Sequence, residues 1–204
     1  MLAVSWQRGT LGNLVPLIET ATLENPGVPA LTAALALAHV ERDDIDGAHR
    51  ILEQPTSTDF DLPLRGAWLT EMVFFAEVVA ECRDAEAAGV VFRRLEPCSG
   101  QFAGGGRGAE GPVDQYLGHL ATLLGRFDEA DAYFGSSAAT NNRMGAKFFE
   151  ARTTLLWGRM LAERRGPGDV ERARSLLTEA SGTGVVNGYG NVVRRAATAL
   201  QRLG

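Results

Sequence analysis

Three histidines, two cysteines and 25 acidic side chains are the groups in this 204-residue chain that could ligate a metal or serve as nucleophile or base. His39 and His49 stand ten residues apart, on the two helices of one predicted hairpin, so shared ligation is conceivable. No HExxH and no Cys/His cluster joins them, and a metal site needs several convergent ligands. All three histidines, His119 included, therefore read as surface or groove residues. Cys82 falls on an apolar helix face and reads as core, because a reactive thiol needs an electropositive and accessible setting. No GxSxG elbow occurs. Asp43-Asp44-Ile-Asp46 lacks the spacing of a calcium loop and reads as a solvated turn leading into a helix N-terminus. Gly104-Gly-Gly-Arg-Gly108 lacks the Lys-Ser/Thr that a phosphate loop requires, and reads as a flexible connection. These readings predict no catalytic residue, no metal and no cofactor.

Composition narrows the class further. Hydrophobic residues make up 45% and charged residues 22%, which is enough to build a core. Alanine, leucine, glutamate and arginine dominate, and these favour helices. The net charge of −5 without a basic tract gives no footprint for a phosphate backbone, so no direct nucleic-acid partner is expected. Cys82 and Cys98 show no CxxC spacing and suit a reducing cytoplasm. Residues 1–8 do not read as a signal peptide. The longest apolar runs, residues 30–38 and 72–76, fall far short of the roughly 20 residues that span a bilayer. A cytoplasmic protein with no membrane partner is the expectation.

The elements that must position these groups are helices. Leu11, Leu14, Ile18 and Ala21 step along one helical face, as do Phe127, Ala130, Phe134 and Ser137. Breakers such as Asn25-Pro-Gly27, Gln54-Pro55, Glu96-Pro97 and Arg165-Gly-Pro-Gly168 separate the segments. No alternating run bounded by hairpin turns occurs, so no sheet is predicted. One phrase recurs: a small or apolar anchor (Leu14, Ala48, Ala88, Ala130, Ala173) followed four residues later by a larger apolar residue (Ile18, Leu52, Phe92, Phe134, Leu177). The anchors lie 34, 40, 42 and 43 residues apart, the period of helical hairpins with variable connections. A single hairpin cannot bury its own apolar face, so neighbours must stack. The predicted hairpins span about residues 1–26, 29–55, 66–97, 111–142 and 147–181. A C-terminal helix follows over 191–203, and 99–111 is a flexible connection with a soft hinge near 100–111.

Leu117-Gly118, Gly125, Phe127, Ala130 and Phe134 sit at the signature spacing of tetratricopeptide repeats. The chain resembles more specifically the C-terminal helical region of actinobacterial LuxR-type transcriptional regulators with a STAND-type ATPase, and their cyclase-fused relatives. The residues carrying that resemblance are Trp6-Gln-Arg-Gly9, Glu24-Asn-Pro-Gly27, Gly111-Pro-Val113, Gly125-Arg-Phe-Asp-Glu-Ala130, Arg143-Met-Gly145, Ala151-Arg-Thr153 and Gly168-Asp169. It implies one all-α domain over 1–204, a tetratricopeptide-like α-solenoid of antiparallel hairpins in a right-handed superhelix. The chain departs from the pattern at residues 102–108 and 181–190, where uninterrupted helix is expected. Gly9, as an inter-helix turn, would need about fourteen residues before it by the motif's spacing. The chain is therefore expected to start inside a repeat, as a fragment of a longer polypeptide or a truncated reading frame, with an apolar flank at Leu2 and Trp6 needing cover.

Aligned on the repeat, Thr70, Glu77, Glu81, Gln115, His119, Arg152 and Arg159 line the concave face, with acids early and arginines late. Trp68, Phe74, Phe75, Phe148, Phe149 and Trp157 fall on first helices and read mostly as inter-repeat core. The expected function is a non-catalytic protein–protein interaction and regulatory module, the C-terminal part of a transcriptional regulator acting in signal transduction. Its partner would be another protein or a second copy. The alternative is a sensor domain that takes a small-molecule effector in its concave groove. The resemblance puts ATPase, DNA-binding and cyclase activities in other domains of full-length relatives.

Overall fold

The computed structural model describes residues 2–62, 66–105 and 108–204. Among them the chain is all-α apart from one two-stranded ribbon. The helices are α1 (Leu2–Arg8), α2 (Val15–Glu24), α3 (Pro29–Glu41), α4 (Ile45–Ser57), α5 (Trp68–Cys82) and α6 (Ala85–Leu95). The ribbon β1 (Phe102–Gly105) and β2 (Gly108–Pro112) leads into α7 (Val113–Leu123), α8 (Phe127–Met144), α9 (Lys147–Arg164), α10 (Asp169–Asn187) and α11 (Gly190–Leu203).

The helix ends follow local chemistry. Asp44 caps α4 by accepting from the Gly47 amide at 2.9 Å, and Asp84 caps α6 by accepting from Ala87 at 3.0 Å. The Asp43–Asp46 run is thus a turn and an N-cap. Pro16 and Pro29 stand in the first turns of α2 and α3, where a missing amide hydrogen costs nothing. Gly145 and Gly188 end α8 and α10 in the left-handed conformation.

Consecutive helices pack in pairs: α3 with α4, α5 with α6, α7 with α8, α9 with α10. The odd-numbered helices also pack on one another in order, α3 on α5, α5 on α7, α7 on α9, α9 on α11. Within the pairs the recurrent anchors are core. Ala48, Ala88, Ala130 and Ala173 are wholly buried, as are Leu52, Phe92, Phe134 and Leu177 four residues on. Small residues on the facing helix receive them. A Cβ added at Gly118 would meet the Phe134 ring at 2.9 Å, and one at Gly158 would meet Leu177 Cγ at 2.9 Å.

The row of odd-numbered helices curls until its two ends touch. Asn191, Arg194 and Arg195 of α11 all bond Glu41 at the end of α3. At the same place α1 packs on α11, and Gly190 has no room for a side chain beside the Arg8 carbonyl. Trp6 is covered by the chain itself, with ring centroids 6.5 Å from Phe74 and 5.5 Å from Phe148. Of the N-terminal flank Leu2 stays half-exposed and Val4 exposed; the other open large apolar side chains among the described residues are Leu17, Leu23, Val28, Met144, Val185 and Val186.

The stretch 99–111, expected to be a flexible connection without sheet, carries the antiparallel ribbon over 102–105 and 108–112, with a bulge between Ala103 and Gly104, while Gly106 and Arg107 lie outside the described residues. Glycines at 104 and 108 give no side-chain alternation to read, so the pairing is written in backbone hydrogen bonds alone. The ribbon is tied down at both ends. Asp114 accepts from Ser99 and the Gly100 amide, and Phe102 stacks edge-on against Phe149 at 5.9 Å. Gly111, at φ 101°, lies directly under the Phe149 ring. Residues 181–190 hold the end of α10, the Gly188 turn and the start of α11.

Candidate functional site

Helical spacing of three, four and seven puts side chains of each odd-numbered helix on the face turned toward the middle of the row. Glu77 and Glu81 are four apart on α5, and Arg152 and Arg159 seven apart on α9; α7 between them contributes His119 and Gln115. These residues meet in one buried ion network. Glu77 Oε2 accepts from Arg152 Nη2 at 2.6 Å, and both side chains are almost entirely buried. Glu81 Oε1 lies 2.7 Å from Arg159 Nη1 and 2.6 Å from Arg195 Nη1. Arg195 continues to Glu41 Oε1 at 3.2 Å, while Arg194 holds Glu41 Oε2 at 2.8 Å. His119 bridges the carboxylates, its ring nitrogens 3.6 Å from Glu77 and 3.5 Å from Glu81. Arg152 is further held by the Trp6 ring, 4.4 Å from its guanidinium carbon, a cation–π contact. With its amide nitrogen turned toward Thr153 Oγ1 and the Phe149 carbonyl, Gln115 accepts from Arg152 Nε at 3.3 Å.

The two carboxylates of α5 stay ionised. Burial pushes the Glu77 carboxyl up, but Arg152 and then His119 outweigh it and hold the group well below the usual carboxylate range. Glu81 is likewise raised by burial, and Arg159, Arg195 and His119 outweigh it and hold the group well below the usual carboxylate range. Burial works against the Arg195 cation, yet Glu81, Glu41 and Glu77 raise its basicity overall. Glu77, Glu81 and His119 place ligand atoms within 4.8 Å of one another, a spacing that fits a metal ion. The donors do not fit one chemically. Three guanidiniums already neutralise the two carboxylates, and a divalent cation would add its charge to theirs.

Beside this network opens a cavity of about 360 Å³. The ends of α3, α5 and α9 and the outer length of α11 surround it. Its wall carries six arginines, Arg83, Arg159, Arg165, Arg194, Arg195 and Arg202, against the carboxylates of Asp43, Glu81 and Glu163. Val40, Ile45, Ala162, Ala199 and Leu203 form its apolar floor. Asp43, Arg83 and Arg165 stand in the left-handed backbone conformation, with φ of 59°, 58° and 53°.

Of the seven residues expected on the concave face, Glu77, Glu81, Gln115, His119, Arg152 and Arg159 converge in the network. Thr70 does not. It bonds Glu110 of β2 at 3.4 Å, a carboxyl that burial raises above its usual range despite that bond. Sequence reasoning missed Glu41, Asn191, Arg194 and Arg195. The adjacent arginines of the last helix were a signal, but the position of that helix was the feature the sequence left undefined. His39 and His49 share no ligand: His39 Nδ1 meets Asp44 at 2.7 Å. Cys82 is buried, and burial, followed by Glu81 and Asp84, pushes its thiol up to about 12. Phe75, Phe148 and Phe149 are buried; Trp68, Phe74 and Trp157 are half-buried against the same core. The chain matches no protein-family model, no curated protein and no solved structure.

Proposed function

We propose that this chain is a non-catalytic regulatory module of a transcriptional regulator, built as a tetratricopeptide-like α-solenoid of antiparallel hairpins in a right-handed superhelix. The curled row of odd-numbered helices is its concave side. Its partner there is a small-molecule effector. The observation that carries this reading is the closure of the row: α11 reaches Glu81 through Arg195 at 2.6 Å and Glu41 through Arg194 at 2.8 Å. A groove occupied by its own helix has little room for an extended peptide, whereas the cavity left at its edge is of small-ligand size. Two observations favour binding over turnover. The carboxylates are held ionised by arginine, and the one buried thiol is held protonated, so neither base nor nucleophile is poised.

A second reading, a protein partner or a second copy, is favoured by the apolar side chains Leu17 and Leu23 of α2, which are 53% and 78% exposed. The two readings part in a binding assay on the intact chain. Thermal unfolding in the presence of a low-molecular-mass extract fraction should show a saturable rise in midpoint. If the midpoint never moves, and the chain instead self-associates or captures a protein in a manner abolished by Leu17→Glu/Leu23→Glu, the partner reading replaces the effector reading.

A further inference from the structure

The cavity at the edge of the network has a charge at odds with the chain around it. The protein carries a net −5, yet this wall sets six arginines against three carboxylates. Several of those arginines are committed: Arg159 to Glu81, Arg194 to Glu41, Arg195 to both, and Arg83 to Glu163 at 3.1 Å. Arg165 and Arg202 have no carboxylate partner among the described residues, and the largely buried Arg195 keeps an Nε without an acceptor. Arg165 spends its Nε on the Ala162 carbonyl at 3.4 Å, and guanidinium forks left free of carboxylates over a partly enclosed space match the geometry of phosphate and carboxylate oxygens.

The backbone adds an independent observation. The turns that follow α7, α8 and α10 are made by Gly125, Gly145 and Gly188 in the left-handed conformation. At the cavity the equivalent turns after α3, α5 and α9 use Asp43, Arg83 and Arg165 in that same conformation. A residue with a Cβ is strained there and glycine is not. The chain thus keeps charged side chains at three cavity positions where glycine would hold the turn at lower cost, although the conformation is not confined to the cavity, since Asp59 and Phe60 after α4 share it.

We propose that this cavity is the binding site for a small polyanion, a molecule with at least two phosphate or carboxylate groups and an apolar or flat body. The anionic groups are taken by Arg165, Arg202 and Arg83 at the rim, with Arg195 Nε beneath them. The body lies on Val40, Ile45, Ala199 and Leu203. A volume of about 360 Å³ is at the small end of ligand pockets, which sets the size at that of a mononucleotide or less. This inference rests on the effector reading above and names the class of effector.

The left-handed arginines supply a variant that keeps its fold. In Arg83→Gly/Arg165→Gly the turns are relieved of strain while two rim charges vanish. The loss of the exposed Arg83–Glu163 pair matters little. Titration calorimetry on the intact chain with inorganic pyrophosphate and, separately, citrate tells phosphate from carboxylate as the preferred group. Saturable binding of at least one is expected, weakening at least about tenfold in the double variant while its thermal midpoint is held or raised. Binding that survives unchanged in the double variant overturns the site. Binding of neither polyanion overturns the proposal, and two further probes then separate it from the reading it rests on. If trehalose or spermidine binds saturably instead, the effector reading stands with a different ligand class. If none of the four binds, the effector reading loses its support as well.

Discussion

Arg195 spans two helices' worth of acid: it lies 2.6 Å from Glu81 and 3.2 Å from Glu41, with Glu77 at 4.0 Å. Side chains this deep are not held by their own pairing alone, since each charge loses its water on burial. What makes the set tolerable is that every carboxylate meets a guanidinium, and this ties stability to pH. Glu77 and Glu81 titrate below their ordinary value of 4.5, so folding favours their ionised forms. Their contribution is complete above that value and is lost as pH falls through the folded-state values, about 2 for Glu77. Urea midpoints should therefore be level near neutrality and fall steadily from about pH 5 downward. A midpoint unchanged between about pH 5 and pH 3 would contradict the network's ionisation. At this scale the sequence was partly legible. The repeat spacing singles out Glu77, Glu81, His119, Arg152 and Arg159 as residues of one face, because that face is a property of each helix separately. Glu41 and Arg195 were out of reach, because their meeting depends on how far the row curls, a sum of small rotations that no local pattern records.

At the scale of elements, the pairing of helices rests on small-to-large contacts. Gly118 of α7 takes the Phe134 ring of α8, and Gly158 of α9 takes Leu177 of α10. Adding one methyl at Gly118 drives Phe134 off its position, though alanine favours the helix itself. The propensity gain is about 1 kcal/mol and the overpacking cost about 1 to 3 kcal/mol. Gly118→Ala should therefore lower stability in urea by up to about 2 kcal/mol; Gly135→Ala, at a helical site with nothing near its Cβ position, should raise it. If both changes raise stability, the contact does not hold the pair together. The anchors were readable because the same two positions repeat with a period set by hairpin length. The ribbon was not, for a stretch as glycine-rich as residues 102–112 leaves almost no side-chain pattern for periodicity to register. The helix ends fall between these cases: Asp44 and Asp84 announce their caps, whereas Arg83 and Arg165 take a conformation that their residue type argues against.

For the whole molecule, α11 is the piece that turns a row of helices into a closed one. Arg195→Gln removes the cation that α11 places between Glu41 of α3 and Glu81 of α5. Because Glu41 keeps Arg194 and Glu81 keeps Arg159, stability should drop by less than about 3 to 5 kcal/mol, the cost of a fully orphaned buried charge. The more telling readout is local: amide exchange should accelerate in α11 and at the C-terminal end of α3 together, and far less in α8. Acceleration confined to α11 would mean that the closure is not shared. Among the described residues no helix is long and apolar enough to cross a membrane.

The bond from Arg195 to Glu41 joins residues 154 positions apart, whereas the helix pairs, α1 on α11 excepted, join helices one or two places apart in the chain. Nearby pairs collapse quickly because little chain must be gathered to form them. Bringing α3 and α11 together has to wait for the whole intervening stack. Folding of this chain should thus be paced by one late docking event, and its opening should begin with the reversal of that event. A ligand seated between Arg194 and Arg202 would then act as a brake on reopening, lengthening the lifetime of the closed form while leaving the rate of helix formation almost untouched.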